Sequence, residues 1–119
     1  MKIESSNTIL YCKKWKETVR FYRDILALDV SFSNEWFMEF ELNSMSRISV
    51  ADEKKATVKS GEGKGITISL RIDYLYEMHQ YLKENQHTPT PIKKIWGSEQ
   101  FFVFDPEGNR VEFWSEKNI

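Results

Sequence analysis

The second half of this chain repeats the plan of the first. Residues 7–12 (NTILYC) are β-branched and aromatic, and read as a strand. At residue 15 the apolar spacing changes. Trp15, Thr18, Val19, Tyr22 and Leu26 fall at i, i+3, i+4, i+7 and i+11, one face of a helix over 15–26. Three strands follow, at 28–33, 35–42 and 47–51. The middle one alternates, with Trp36, Met38, Phe40 and Leu42 on one face and Glu35, Glu39 and Glu41 on the other. After a charged break, 66–72 is again a strand. Residues 74–85 are a helix with Leu75, Met78, His79 and Leu82 on its stripe, and 92–96, 99–104 and 109–115 are three more strands. Asp73 is the expected N-cap of that helix. Asp105-Pro106-Glu107-Gly108-Asn109 is the expected tight turn between the last two strands.

A β-α-β-β-β order used twice predicts an α+β fold in a single domain over 1–119. It has two modules, 7–51 and 66–115, and a linker at 52–65 that carries three of the five glycines. The eight strands are expected to make a curved mixed sheet, because paired modules of this kind tend to curl into a half-barrel. Superposing the halves sets Val19 on His79, Phe40 on Phe104, and Arg47-Ile48-Ser49-Val50 on Arg110-Val111-Glu112-Phe113. That superposition leaves one extra residue in the last turn of the first module.

Each helix must cover one face of its strands, and the apolar residues choose which. Leu10 and Cys12, Ile48 and Val50, Ile68, Leu70 and Ile72, Val111 and Phe113 belong under the helices. Period-2 alternation then puts Asn7, Ile9 and Tyr11, Arg47, Ser49 and Ala51, Thr67, Ser69 and Arg71, and Arg110, Glu112 and Trp114 on the other face. The third strands are expected to add Phe37, Glu39 and Glu41 in one module and Phe101 and Val103 in the other. This mixture of aromatic and charged residues reads as a wet, aromatic-lined binding cleft, against the alternative of a merely solvated sheet face.

Composition narrows the classes. A balance of 17 Lys+Arg against 18 Asp+Glu excludes a strongly basic nucleic-acid protein. No apolar run approaches the ~20 residues of a membrane span. One cysteine excludes an intramolecular disulfide, and Cys12, facing the helix, reads as a small core residue. The opening MKIESSNTIL lacks the layout of a signal peptide, so a cytoplasmic protein is expected. His79 is expected to be half-buried with its ring satisfied, and His87 to be exposed in the loop before Pro89.

The segment Phe21-Tyr22-Arg23-Asp24-Ile25-Leu26-Ala27-Leu28 resembles the FYRDxLGL signature of the vicinal oxygen chelate superfamily. That superfamily contains glyoxalases, bleomycin- and fosfomycin-resistance proteins and extradiol dioxygenases. Residues 101–113, FFVFDPEGNRVEF, are similar to its FxxxDPxGNxxEF closing hairpin. The resemblance spans nearly the whole chain and implies the glyoxalase/bleomycin-resistance fold. One departure is Ala27 where the family usually has glycine, which implies a small change in the turn after the first helix.

The resemblance also implies where a metal would bind. Family metalloenzymes use side chains of the first and fourth strands of each module, here Asn7, Ser49, Thr67 and Glu112, where His or Glu is usual. Only Glu112 keeps ligand chemistry, so no metal or other cofactor is expected, because stable divalent sites use three or four His, Cys or carboxylate ligands. Glu39 and Glu41 leave a hard cation on oxygen ligands as the alternative.

The expected function is metal-independent binding of a small organic molecule. Tyr11, Phe37, Phe101 and Trp114 would stack on it, and Glu39, Glu41, Arg47, Arg71, Arg110 and Glu112 would orient it. The same charges could instead pair with one another across an empty barrel. The competing reading is a lyase or dioxygenase-like enzyme using Glu112 as base or metal ligand, against which Glu112 could simply pair with an arginine. A purely structural or regulatory dimer is a further alternative. The resemblance implies a homodimer, since each module leaves open sheet edges.

Overall fold

In the computed structural model, which describes residues 1–116, each half folds into its own four-stranded mixed sheet. The first unit, Met1–Glu62, holds β1 (Ser6–Cys12), β2 (Asp29–Ser33), β3 (Phe37–Glu41) and β4 (Ser46–Asp52) in the order β1-β4-β3-β2. The second unit begins at Gly63 and holds β5 (Thr67–Arg71), β6 (Lys93–Ile95), β7 (Ser98–Phe104) and β8 (Arg110–Glu116) in the order β5-β8-β7-β6. In each sheet the first and last strands pair in parallel and the rest antiparallel. A parallel pair cannot be joined by a hairpin, so the remainder of the module, helix included, lies between the two strands in sequence.

The first helix is shorter and wider than its stripe implies. α1 (Trp15–Arg20) passes into a π-helical turn, Phe21–Ile25, where the Leu26 N–H reaches the Phe21 carbonyl at 2.9 Å. The wider turn lets neighbouring Phe21 and Tyr22 both bury completely, meeting edge-on at 5.0 Å. Trp15 anchors the start, donating its indole N–H to the Val50 carbonyl at 2.9 Å.

The turn after this helix keeps the left-handed geometry that glycine would give it, with Ala27 at φ 55°. Alanine here takes a backbone conformation that favours glycine. That conformation costs a non-glycine residue about 1–2 kcal/mol, partly offset by the lower unfolded-state entropy of alanine. Ala27→Gly is therefore expected to stabilise the protein by about 0.5–1 kcal/mol, read as a rise of a few degrees in Tm.

α2 (Leu75–Glu84) packs against β7 and β8 through Leu75 and Leu82. Its N-cap is Tyr74, and no side chain caps it, so Asp73 does not take the role its residue type suggested. His79 is half-buried as expected, its Nε2 2.9 Å from the Thr90 carbonyl. His87 is half-buried rather than exposed. The Tyr76 hydroxyl donates to the buried Glu99 carboxylate on β7, which holds the phenol above its ordinary value.

The register of β7 overturns one pairing of the two halves. Val103 lies opposite Val111, as Phe40 lies opposite Ile48, so Phe40 corresponds to Val103 and not to Phe104. No extra residue is needed in the first module's turn. A one-residue slip moves every side chain of a strand to the other face. Phe101 and Val103 therefore face α2 and the core, while Gln100, Phe102 and Phe104 take the open face. Phe101 is 1% exposed and sits between His79 and Phe113, at 4.9 and 5.4 Å between ring centres.

Two features hold the β7–β8 turn. The buried Asp105 carboxylate accepts the Glu107 and Asn109 backbone N–H groups and the Asn109 side-chain amide, each at 2.9 Å. Gly63, at φ 82°, lies directly against the Gly108 carbonyl. The 52–65 segment is ordered by its own contacts: Lys59 donates to the Glu53 and Ala56 carbonyls, and the Ser60 N–H to the Glu53 carboxylate.

Candidate functional site: the open sheet faces

Strand pairing places the candidate residues in rows across the face of each sheet opposite its helix. In the first sheet the rows are Asn7–Arg47–Glu41, Ile9–Ser49–Glu39 and Tyr11–Ala51–Phe37. One end is polar and the other aromatic. At the polar end the Ser49 hydroxyl donates to the Asn7 amide oxygen at 2.8 Å, and the Asn7 NH2 donates to Glu39 at 3.3 Å. The Ser31 hydroxyl, at a bulge in β2, donates to the same carboxylate at 2.8 Å. Arg47 lies 3.8 Å from both Glu39 and Glu41 and donates to the Asn43 carbonyl. At the aromatic end Phe37 meets Phe32 and Trp36 at 6.2 and 5.8 Å between ring centres, and half-buried Tyr11 lies across Ala51 in the same row.

The second sheet carries the rows Thr67–Arg110–Phe104, Ser69–Glu112–Phe102 and Arg71–Trp114–Gln100. Here the positions of Glu39 and Glu41 are taken by Phe102 and Phe104, and two guanidiniums, Arg71 and Arg110, share the face with two carboxylates, Glu112 and Glu116. Arg110 lies over the Phe102 ring at 4.4 Å and donates its Nε–H to Thr67 at 2.8 Å. Its two terminal nitrogens have no protein partner among the described residues. Arg71 lies over Trp114 at 5.3 Å and pairs with Glu116 at 3.3 Å. Glu112 accepts a hydrogen bond from Ser69. It is not paired with an arginine, as one reading of the sequence had it.

The structure thus brings Tyr11, Phe37, Glu39 and Arg47 onto one face, and Arg71, Arg110, Glu112 and Trp114 onto another. Phe101 does not belong with them. Phe102 and Phe104, the latter 56% exposed, are the aromatic residues of β7 that the sequence reading missed. The signal that could have found them is the shared length of the two closing turns, eight residues from Phe40 to Ile48 and from Val103 to Val111.

The four positions of a family metal site, Asn7, Ser49, Thr67 and Glu112, are committed to one another and to their neighbours. Asn7 and Ser49 satisfy one another, and Ser49 is fully buried. Thr67 accepts from Arg110, whose guanidinium would repel a cation there. Among the described residues no three His, Cys, Asp or Glu side chains come together as metal ligands. These residues do not fit a divalent transition metal. None of the helices described is long and apolar enough to cross a membrane.

A family model described as the Glyoxalase/Bleomycin resistance protein/Dioxygenase superfamily matches residues 6–113. No curated protein matches the chain by sequence. Among solved structures, a lactoylglutathione lyase from Agrobacterium tumefaciens is 18% identical with a TM-score of 0.76, over 93% of this chain and 92% of that one. TnmS3, an antibiotic-binding protein from Streptomyces sp. CB03234, is 14% identical with a TM-score of 0.79, over 94% of each chain. The oxidase ChaP-H2 is 19% identical with a TM-score of 0.68, over 98% of this chain and 95% of that one. At these identities the likeness is one of fold alone.

Proposed function

The chain belongs to the Glyoxalase/Bleomycin resistance protein/Dioxygenase superfamily, and from that premise we propose that it binds a small organic molecule, without a metal, on the open sheet faces. The observation that carries this reading is the second sheet. Arg110 and Arg71 are stacked on aromatic rings, and Arg110 keeps two donors uncommitted beside Glu112 and Ser69. Such a surface offers a flat apolar platform and a fork for an oxyanion, and asks for no metal. TnmS3 offers a precedent for binding on this fold. We place this function in the cytoplasm, in a homodimer, whose mass by light scattering would be twice the 14.2 kDa of the chain. The outer strands of each sheet, β1 and β2, β5 and β6, are the natural pairing edges.

Protein purified without chelators is expected to carry no stoichiometric zinc, nickel or iron by elemental analysis; one metal per chain would refute metal independence. A thermal-shift screen of aromatic acids and planar polycyclic compounds is expected to yield a ligand. Trp114→Ala and Arg71→Ala should then each weaken its binding by about 1–3 kcal/mol with little change in the Tm of the free protein. Binding unchanged in both variants would remove the second sheet from the site.

A second reading rests on Glu112, whose one partner among the described residues is a neutral hydroxyl. A carboxylate not neutralised by a guanidinium is available as a general base. Under this reading Glu112→Gln abolishes turnover of a bound carbonyl compound while leaving its affinity within about twofold.

A further inference from the structure

The register of the second sheet leaves one charge of each sign without a counterpart. In the first sheet Arg47 stands beside Glu39 and Glu41 and lies 3.8 Å from each. Arg110 holds the matching place on β8, but its neighbours on β7 are Phe102 and Phe104, which offer it a ring and no carboxylate. Glu112 is two residues along the same strand and on the same face, about 7 Å away between α-carbons. Opposite charges at that spacing can join directly. These two do not, because β5 holds each in its own place. The Thr67 hydroxyl takes the Arg110 Nε–H at 2.8 Å, and the Ser69 hydroxyl donates to Glu112 Oε1. The terminal nitrogens of Arg110 and Oε2 of Glu112 have no protein partner among the described residues. Arg71, the other guanidinium of the face, is taken by Glu116 and Trp114.

A ligand that satisfies this pair carries both charges at short range. An organic anion gains Arg110 but brings its charge against Glu112, and an organic cation meets the reverse. A zwitterion gains both terms. An α-amino acid has its carboxylate and its ammonium on one carbon, so it can lie between the two side chains. Its carboxylate then takes the open fork of Arg110, and its ammonium donates to Glu112 Oε2. Phe104, 56% exposed and next to Arg110 in its row, gives the amino-acid side chain an apolar platform.

We propose that the open face of the second sheet takes an α-amino acid with an aromatic or large apolar side chain. Its carboxylate lies on Arg110, its ammonium on Glu112 and its side chain on Phe104. This names a ligand class for that face and rests on the reading of the face as a binding surface. The test is a titration of the full chain with L-phenylalanine, followed in 1H–15N correlation spectra. Two analogues are titrated in parallel: 3-phenylpropionate, which lacks the ammonium, and phenethylamine, which lacks the carboxylate. Phenylalanine is expected to give saturable shifts on β7 and β8 and to bind at least about fivefold more tightly than either analogue. Glu112→Gln should erase its advantage over 3-phenylpropionate, and Arg110→Gln its advantage over phenethylamine, with the parent spectrum kept in both. Absence of saturable shifts, an analogue that binds as tightly as phenylalanine, or an advantage that persists in both variants would overturn the amino-acid assignment. A ligand from the thermal-shift screen that loses affinity in Trp114→Ala or Arg71→Ala would then still leave the face as a binding surface, so the two failures are told apart.

Discussion

Phe101→Ala is expected to destabilise the protein by about 3–5 kcal/mol, and Phe102→Ala, one residue away, by less than about 1.5 kcal/mol. Phe101 is fully enclosed, edge-on to His79 and tilted against Phe113, so its removal leaves a cavity that the ring of His79 cannot fill without releasing the Thr90 carbonyl. Phe102 lies on the open face beneath Arg110, where truncation loses one cation–aromatic contact and leaves no enclosed void. Chemical denaturation of the two variants checks the difference. A reversed order, with Phe102→Ala the more damaging, would mean that β7 presents its other face to the core.

That pair of residues also marks where the sequence was and was not legible. Each element of the duplicated β-α-β-β-β plan lies within two residues of its expected bounds, save that the first helix widens into a π turn at Phe21. Strand β3 could be read for its faces as well, because Glu39 and Glu41 alternate with Met38 and Phe40. Strand β7 could not. Phe101-Phe102-Val103-Phe104 is an unbroken apolar run, and without a polar residue at every second position nothing in the run states which face is buried. Superposing Phe40 on Phe104 instead of Val103 then assigns the strand the wrong face. The charged residues of the site were legible by alternation from β4 and β8, where Ile48 and Val50, Val111 and Phe113 fix the core side. Their partners were not, because an arginine on a sheet face can reach a carboxylate on its own row, a diagonal neighbour or an aromatic ring with little difference in energy. Arg47 went to carboxylates, Arg110 to a ring and a threonine, and Glu112 to a serine.

Gly63→Ala is expected to be the most damaging small substitution in the chain, and a series of three glycines shows why. At Gly61 nothing lies within 4 Å of an added Cβ and φ is not in the left-handed region, so Gly61→Ala should change stability by no more than about 0.5 kcal/mol. Gly65 has equal space but φ 76°, so Gly65→Ala meets the conformational cost alone, about 1–2 kcal/mol. Gly63 has φ 82° and no space: its Cβ would stand 2.0 Å from the Gly108 carbonyl oxygen, 2.3 Å from that carbonyl carbon and 2.8 Å from the Asn109 nitrogen. All three are backbone atoms, so no rotamer change relieves the clash. The turn itself resists moving, because the Asp105 carboxylate ties down the N–H groups of Glu107 and Asn109, and Gly108 is already at φ 94°. Relief must come from breaking those bonds, each worth about 1.5–3 kcal/mol to a buried carboxylate, or from lifting the end of the linker off the turn. Gly63→Ala should therefore cost about 4 kcal/mol or more by denaturant unfolding. It should also disturb the start of β8, which carries Arg110 and Glu112 onto the open face. If Gly63→Ala instead matches Gly65→Ala, the closing turn yields to the added methyl and the seating of the linker on it does not constrain the fold.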